Sequence, residues 1–113
     1  MSLYNFEAGD IVDRNGTVIG RVGMDGTVIS WAGTFVGFVR DDSAVFDFRN
    51  DHIGQVDENG ILRDWGGYDI GQVRPNGAVL DYGRMEVGQV VRMPPRLAGG
   101  AGILMLILRV VNS

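Results

Sequence analysis

Three carboxylates in this chain are each followed directly by an aromatic residue, and the three pairs recur every 17 residues. The pairs are Asp47 and Phe48, Asp64 and Trp65, and Asp81 and Tyr82. An aromatic ring covers the apolar C–H face of a sugar, while an adjacent carboxylate accepts hydrogen bonds from its hydroxyl groups. These six residues are therefore the candidate ligand-binding residues of the sequence.

The same pairs also have a structural interpretation, which we favour. Three residues after the aspartates come Asn50, Gly67 and Arg84, and the equivalent positions of the two earlier repeats are Gly16 and Gly33. Asp at the first corner and Gly at the fourth are typical of a type I turn, in which the carboxylate accepts from backbone N–H groups. On this interpretation the aspartates stabilise turns and the aromatic rings pack over them.

Catalytic and metal chemistry have little support in the composition. The chain has no cysteine and no lysine, which excludes a thiolate nucleophile, a Schiff base and a phosphate-loop lysine. His52 is the only histidine, and we interpret it as a surface residue. The acidic turns at 41–42 and 57–59 lack the ligand spacing of a calcium loop. We predict a protein that is not an enzyme and that has no metal and no cofactor.

The charge balance narrows the range of partners. A net charge of −4 argues against nucleic acid and against an anionic membrane surface, both of which attract basic proteins. The longest apolar stretch, residues 103–108, is far short of the roughly 20 residues that span a bilayer. The N-terminus has neither the basic start nor the apolar run of a signal peptide, so a cytoplasmic location is the default expectation.

A strict repeat positions the candidate residues. Glycine recurs every 17 residues, at positions 20, 37, 54, 71 and 88, in phrases such as Ile53-Gly54-Gln55-Val56. A fixed period without drift indicates one supersecondary unit used five times. These glycines lie in strand-like segments with no helix after them, which disfavours a phosphate site and favours a bulge or a close backbone approach.

Two sets of turns divide each repeat into two strands. The first set begins at Asp or Ser in positions 13, 30, 47, 64 and 81, and the second includes residues 57–60 and 74–77. Only four to six residues, rich in Val, Ile, Phe and Thr, remain between turns, which is too few for a helix. We therefore predict an all-β fold of five 17-residue β-hairpins in a meander, forming a barrel or a rosette over residues 1–93.

Residues 94–113 form an apolar C-terminal segment of the same domain. Its central part, residues 97–111, is apolar all round, which predicts a buried helix, although the β-branched end also permits a strand. Ten strands closed into a barrel leave room for one helix, so we expect the segment to pack centrally. If it packs between subunits instead, the protein is a homo-oligomer. The weak point of a helix is the glycine-rich run at 99–102, because a mid-helix Gly costs about 1 kcal/mol relative to Ala.

The repeat unit resembles the bacterial β-flower domains, also called four-fold β-flower. Residues 45–54 and 61–71, which read apolar–Asp–aromatic with a glycine before the next strand, carry the resemblance, which extends over about residues 10–90. It implies a hairpin-repeat fold and no activity, and the five units and apolar tail depart from the family pattern. A weaker similarity is to tubby-like barrels, whose strands surround a C-terminal helix. That similarity implies a lipid-facing role.

Two functional classes follow from these observations. The first is a non-catalytic repeat module that binds a protein or a glycan, or that assembles with other copies. The second is a small-ligand or lipid-binding barrel with a partly open interior. A C-terminal segment that fills the barrel favours the first class, and one that leaves it favours the second.

Overall fold

The computed structural model describes residues 5–112 and shows ten short antiparallel strands followed by a helix. The strands are β1 (Asp10–Asp13), β2 (Val18–Val22), β3 (Thr27–Ser30), β4 (Phe35–Val39), β5 (Ala44–Asp47), β6 (His52–Val56), β7 (Ile61–Asp64), β8 (Asp69–Val73), β9 (Ala78–Asp81) and β10 (Glu86–Val90). An α-helix, α1 (Pro95–Gly102), continues into a π-helical segment (Ile103–Ile107). We call residues 95–107 the central helix.

The strands close into a barrel, because each pairs with its neighbours in sequence and β1 pairs with β10. In the closing pair Ile11 lies opposite Val90 and Asp13 lies opposite Gly88. The predicted all-β meander of five hairpins is confirmed, and the choice between barrel and rosette is settled as a closed barrel.

The fourth position of each turn that begins at Asp or Ser requires a positive φ. Gly16, Gly33 and Gly67 adopt φ values of 82°, 85° and 86°, which glycine reaches without steric cost. Asn50 and Arg84 hold the same position in their repeats with φ values of 67° and 66°. The fourth turn position is therefore left-handed in all five hairpins, as the turn pattern predicts.

Each hairpin contains one β-bulge beside the repeated glycine. In the first hairpin Ile11 pairs with Gly20 and Val12 pairs with Val18, so Ile19 is an extra residue, and the same register shift recurs in the other four. The extra residues all pack into or against the core; they are Ile19, Val36, Ile53, Ile70 and Val87. A bulge kinks its strand locally, and here it turns both the glycine and the preceding apolar residue toward the interior.

The central helix runs through the barrel, and its π-helical segment meets the ring of repeated glycines. A Cβ atom on Gly54 would lie 3.2 Å from Ile103, one on Gly37 would lie 2.9 Å from Leu104, and one on Gly20 would lie 2.7 Å from Met105. The remaining pairs are Gly88 with Leu106 and Gly71 with Ile107. Five consecutive helix residues thus each face a different hairpin, in the order third, second, first, fifth and fourth.

This matching accounts for the π-helical geometry. Five equivalent units around a closed barrel are about 72° apart, whereas an α-helix advances about 100° per residue. A π turn is closed by i to i+5 hydrogen bonds, as from Leu108 N to Ile103 O at 2.9 Å, and has more residues per turn. Its smaller angle per residue lets successive side chains follow successive hairpins.

The glycine-rich run belongs to α1, where the wall of the barrel approaches the helix backbone. A Cβ on Gly100 would overlap the Val39 side chain, and one on Gly102 would lie 2.9 Å from Val79. Glycine has a low helix propensity, but it occupies these positions because only glycine fits. The prediction of a central helix is confirmed, and the strand alternative is wrong.

The helix boundaries differ from the predicted range of 97–111. The helix begins earlier, at Pro95, and ends at Ile107. Arg109 then adopts a left-handed φ of 52°, and Val110 N donates back to Leu104 O at 2.8 Å. The charged Arg109 is exposed where the helix leaves the barrel, so the apolar run ends as a short tail, residues 108–112, rather than as helix.

Candidate functional site

The two ends of the barrel differ in their loops. We call the end with the turns at 13–17, 30–34, 47–51, 64–68 and 81–85 the aromatic end, and the other end, where the central helix begins, the entry end. Arg96 near the start of the helix donates to Arg40 O in an entry-end turn at 2.9 Å. Asn112 in the tail donates to Phe35 O, at the aromatic end, at 2.8 Å. All three predicted carboxylate–aromatic pairs lie in neighbouring turns of the aromatic end.

The three aspartates stabilise their turns. Asp64 Oδ1 accepts from Gly66 N at 2.9 Å and from Tyr68 N at 3.0 Å. Asp47 Oδ1 makes the equivalent pair of bonds to backbone N–H groups, and Asp81 Oδ1 accepts from Met85 N at 3.0 Å. The structural interpretation of the carboxylates is therefore correct.

The aromatic residues do not behave as that interpretation predicts. Trp65 and Tyr82 are 76% and 74% exposed, so their rings project into solvent instead of packing over the turns. Only Phe48 is half-buried, with the Arg49 guanidinium 5.2 Å from its ring centroid. The expectation of a packed ring is therefore wrong for Trp65 and Tyr82.

Exposed apolar side chains are concentrated at the aromatic end. Among residues 5–112, ten large apolar side chains are exposed, and eight of them lie at this end: Trp31, Phe35, Trp65, Tyr68, Tyr82, Met85, Leu108 and Val111. Of the described residues, the entry end contributes Met24 and the wall contributes Ile29. We call the eight residues the apolar rim. Clusters of this kind on a folded protein mark interaction sites.

An ion pair joins the fourth and fifth hairpins beneath the rim. Arg84 donates to both carboxylate oxygens of Asp69, at 3.1 and 2.6 Å. The hydrogen bond and the charge of Arg84 hold the pKa of Asp69 below its usual value. This two-pronged geometry fixes the turn that carries Tyr82 relative to the strand that follows Tyr68.

The other residues with chemical potential are dispersed. His52 is exposed, as expected, and a ring nitrogen lies 2.9 Å from Gly54 O. Within residues 5–112 no three His, Asp or Glu side chains are grouped as they would be around a metal ion. Neither the central helix nor any other helix in this part of the chain has the length and hydrophobicity of a membrane-spanning segment.

The repeated hairpins match a known protein family. The model of the 4-fold beta flower protein family matches residues 9–92. This chain belongs to the β-flower family. The match begins just before β1 and ends just after β10, so it covers the whole barrel and stops short of the central helix. No curated protein and no solved structure shows significant similarity to the chain.

Sequence reasoning found only Trp65 and Tyr82 of the eight apolar-rim residues of this β-flower barrel and missed the other six. Tyr68 and Met85 follow the turns at the position that Thr17 and Thr34 hold in the first two repeats. Trp31 follows Ser30 as Trp65 follows Asp64, yet it was not among the candidates. Aligning the last turn position of every repeat exposes this apolar substitution in the fourth and fifth hairpins.

Proposed function

We propose that this β-flower barrel is a non-catalytic module that binds another protein through its apolar rim. The observation that carries the proposal is that, among residues 5–112, eight exposed apolar side chains lie at one end of the barrel and one lies at the other. Trp, Tyr and Met are enriched at protein interfaces, and Trp and Tyr are the side chains that most often dominate binding energy.

The filled interior of the barrel also supports binding at the outer surface. Leu97, Ile103 and Leu104 of the central helix are completely buried, and the repeated glycines Gly54 and Gly37 lie directly against Ile103 and Leu104. Among residues 5–112 the central helix occupies the barrel axis that a ligand of the carrier type would enter. Binding is therefore assigned to the outer surface.

Glycan binding is a second candidate, and one observation favours it. Both turn hydrogen bonds of Asp64 end on Oδ1, which leaves the second carboxylate oxygen for a sugar hydroxyl beside the exposed Trp65 ring. Protein binding is preferred because the rim also includes the aliphatic side chains of Met85, Leu108 and Val111.

The experiment screens the folded protein against a displayed peptide library and against a glycan array, and measures the affinity of each selected ligand for three variants. Trp65→Ala and Tyr82→Ala remove rim residues, while Met24→Ala is the matched control, since Met24 is 69% exposed at the entry end. Peptide affinity should fall about tenfold or more with the rim variants and stay within about twofold for the control.

The two tryptophans provide an independent readout, since both Trp31 and Trp65 lie on the rim. Binding at the aromatic end shifts their fluorescence emission. Ligands that bind without this shift, or that tolerate both rim variants, contradict the proposal. Selection of glycans alone, with affinity lost in Trp65→Ala, replaces it with the second candidate.

A further inference from the structure

A cleft of about 420 Å³ opens at the aromatic end, between the first hairpin and the tail after the central helix. Its floor is apolar and consists of Ile19, Val87, Met105, Leu106, Val110 and Val111. Its edge carries polar groups from both sides, namely Asp13, Arg14, Asn15 and Arg109. A concave surface of this volume that combines apolar side chains with a few charged groups can hold a small molecule.

The tail that forms one wall of the cleft is held in place by hydrogen bonds. Leu108 N donates to Ile103 O at 2.9 Å, and Val110 N donates to Leu104 O at 2.8 Å. The Asn112 side chain donates to Phe35 O at 2.8 Å on the far side. The cleft is therefore preformed, and a ligand need not order the tail in order to bind.

The edge of the cleft favours an anion. Arg14 and Arg109 are both exposed, and neither forms an ion pair with a carboxylate among residues 5–112, whereas Arg21, Arg40, Arg63 and Arg84 do. The one carboxylate at the edge, Asp13, accepts from Asn15 N and Thr17 N through Oδ1 and so serves its turn. The cleft is locally basic in a protein whose net charge is −4.

A second cleft, at the entry end, has the opposite character. It measures about 540 Å³ and is lined by Asp42, Asp57 and Glu58 with a single arginine, Arg96. The three carboxylates repel an anion. An anionic ligand should therefore prefer the smaller cleft beside Arg14 and Arg109, although the entry-end cleft is larger. The contrast makes the entry-end cleft an internal reference for charge selectivity.

We propose that the cleft between the first hairpin and the tail binds a small amphipathic carboxylate. The apolar chain of the ligand lies on the floor and covers Val111, which is 73% exposed. The carboxylate accepts charge-assisted hydrogen bonds from Arg14 and Arg109. The site shares Val111 with the apolar rim but does not include Trp65 or Tyr82, so the rim variants at those two positions test the protein-binding role separately.

The test uses octanoate as the probe and octanol as its neutral counterpart, with binding followed by methyl NMR of the full chain. The methyl signals of Ile19, Val110 and Val111 should shift with octanoate, and octanol should bind about tenfold more weakly. Raising the salt concentration should weaken octanoate binding and leave octanol unaffected. This comparison needs no variant.

One double variant and one control test whether Arg14 and Arg109 cause the preference for an anion. In Arg14→Gln/Arg109→Asn both cations are neutralised, and Asn is chosen because it tolerates the left-handed backbone at 109. Octanoate affinity should fall about tenfold in this variant and stay within about twofold in the control Arg74→Gln, an exposed arginine of the entry end. The proposal is overturned if neither probe binds, if the two probes bind equally, if the double variant binds as wild type, or if the shifts map to the entry-end cleft.

Discussion

Gly54 of β6 faces Ile103 of the central helix so closely that a Cβ atom on the glycine would lie 3.2 Å from two carbons of the isoleucine side chain. The same relationship joins the other four repeated glycines to Leu104, Met105, Leu106 and Ile107. Each of the five 17-residue repeats is thus contacted by a different one of five consecutive helix residues. The repeat encodes a barrel that is closed around its own C-terminal segment.

Gly54→Ala should lower the free energy of unfolding by about 1 to 3 kcal/mol, because overpacking forces the helix or wall to shift. The added methyl group would also lie 2.8 Å from Arg63 O, a backbone atom that cannot move aside. Urea denaturation provides the measurement. Gly83→Ala is the matched control, since its nearest neighbour is Asp81 at 3.5 Å, and it should change stability by less than about 0.5 kcal/mol.

Gly100→Ala should also destabilise the fold, although alanine is the better helix former by about 1 kcal/mol. The reason is the overlap of the new methyl group with the Val39 side chain. Trimming that side chain in Val39→Ala/Gly100→Ala should make the double variant more stable than the sum of the single effects predicts, by about 1 kcal/mol. A stabilising Gly100→Ala would show that the wall does not press on the helix.

Asp64→Ala should cost about 1 kcal/mol, because two turn N–H groups lose their acceptor. Asp64→Asn keeps an acceptor oxygen at the same place and should cost clearly less. Thermal denaturation of the three proteins distinguishes the effects. Equal stability of Asp64→Ala and wild type would remove the turn-stabilising role of the carboxylate.

Two ion pairs give the protein a specific acid dependence. The hydrogen bond from Arg40 lowers the pKa of Asp42 to about 2, and that from Arg84 lowers the pKa of Asp69. A carboxyl whose pKa is lower in the folded state stabilises the fold above its unfolded pKa, near 4, and loses that contribution as the pH falls through the folded value. Both pairs are solvent-exposed, so the effect is small and is reduced by salt.

The measurement is the urea midpoint at about pH 7, above this window, and at about pH 2.5, near its lower end. Asp42→Asn/Asp69→Asn should show a smaller decrease between the two conditions than wild type. Asp41→Asn, which removes an exposed carboxyl outside both ion pairs, should not change the decrease. Identical acid dependence in all three proteins would eliminate the ion pairs as its source.

The fold was predictable because turn chemistry and period are local properties. Asp47 and Asn50 bracket a turn whatever surrounds them, and the repeat multiplies that signal fivefold. The π-helical segment was not predictable, since it arises from fitting residues 103–107 to five walls that are remote in sequence. For the same reason glycine at 100 looks unfavourable in a helix until the position of Val39 is known.

The candidate site was predictable only in part. The role of Asp64 in its turn follows from its position, but the exposure of Trp65 depends on where the turn corner points, which sequence spacing does not specify. The cleft beside Arg14 and Arg109 joins residues 95 positions apart in the chain. Its existence depends on where the central helix ends, and the predicted range of 97–111 placed that end four residues too late.

The most direct test of the barrel closed around its own helix is removal of the helix. A chain that ends at Arg96 lacks Leu97, Ile103 and Leu104, all of which are completely buried. Circular dichroism and light scattering, beside the full chain, should show loss of cooperative unfolding together with aggregation, because the five glycines and the apolar wall then face solvent. A truncated chain that remains a folded monomer with the full chain's unfolding midpoint would contradict the account.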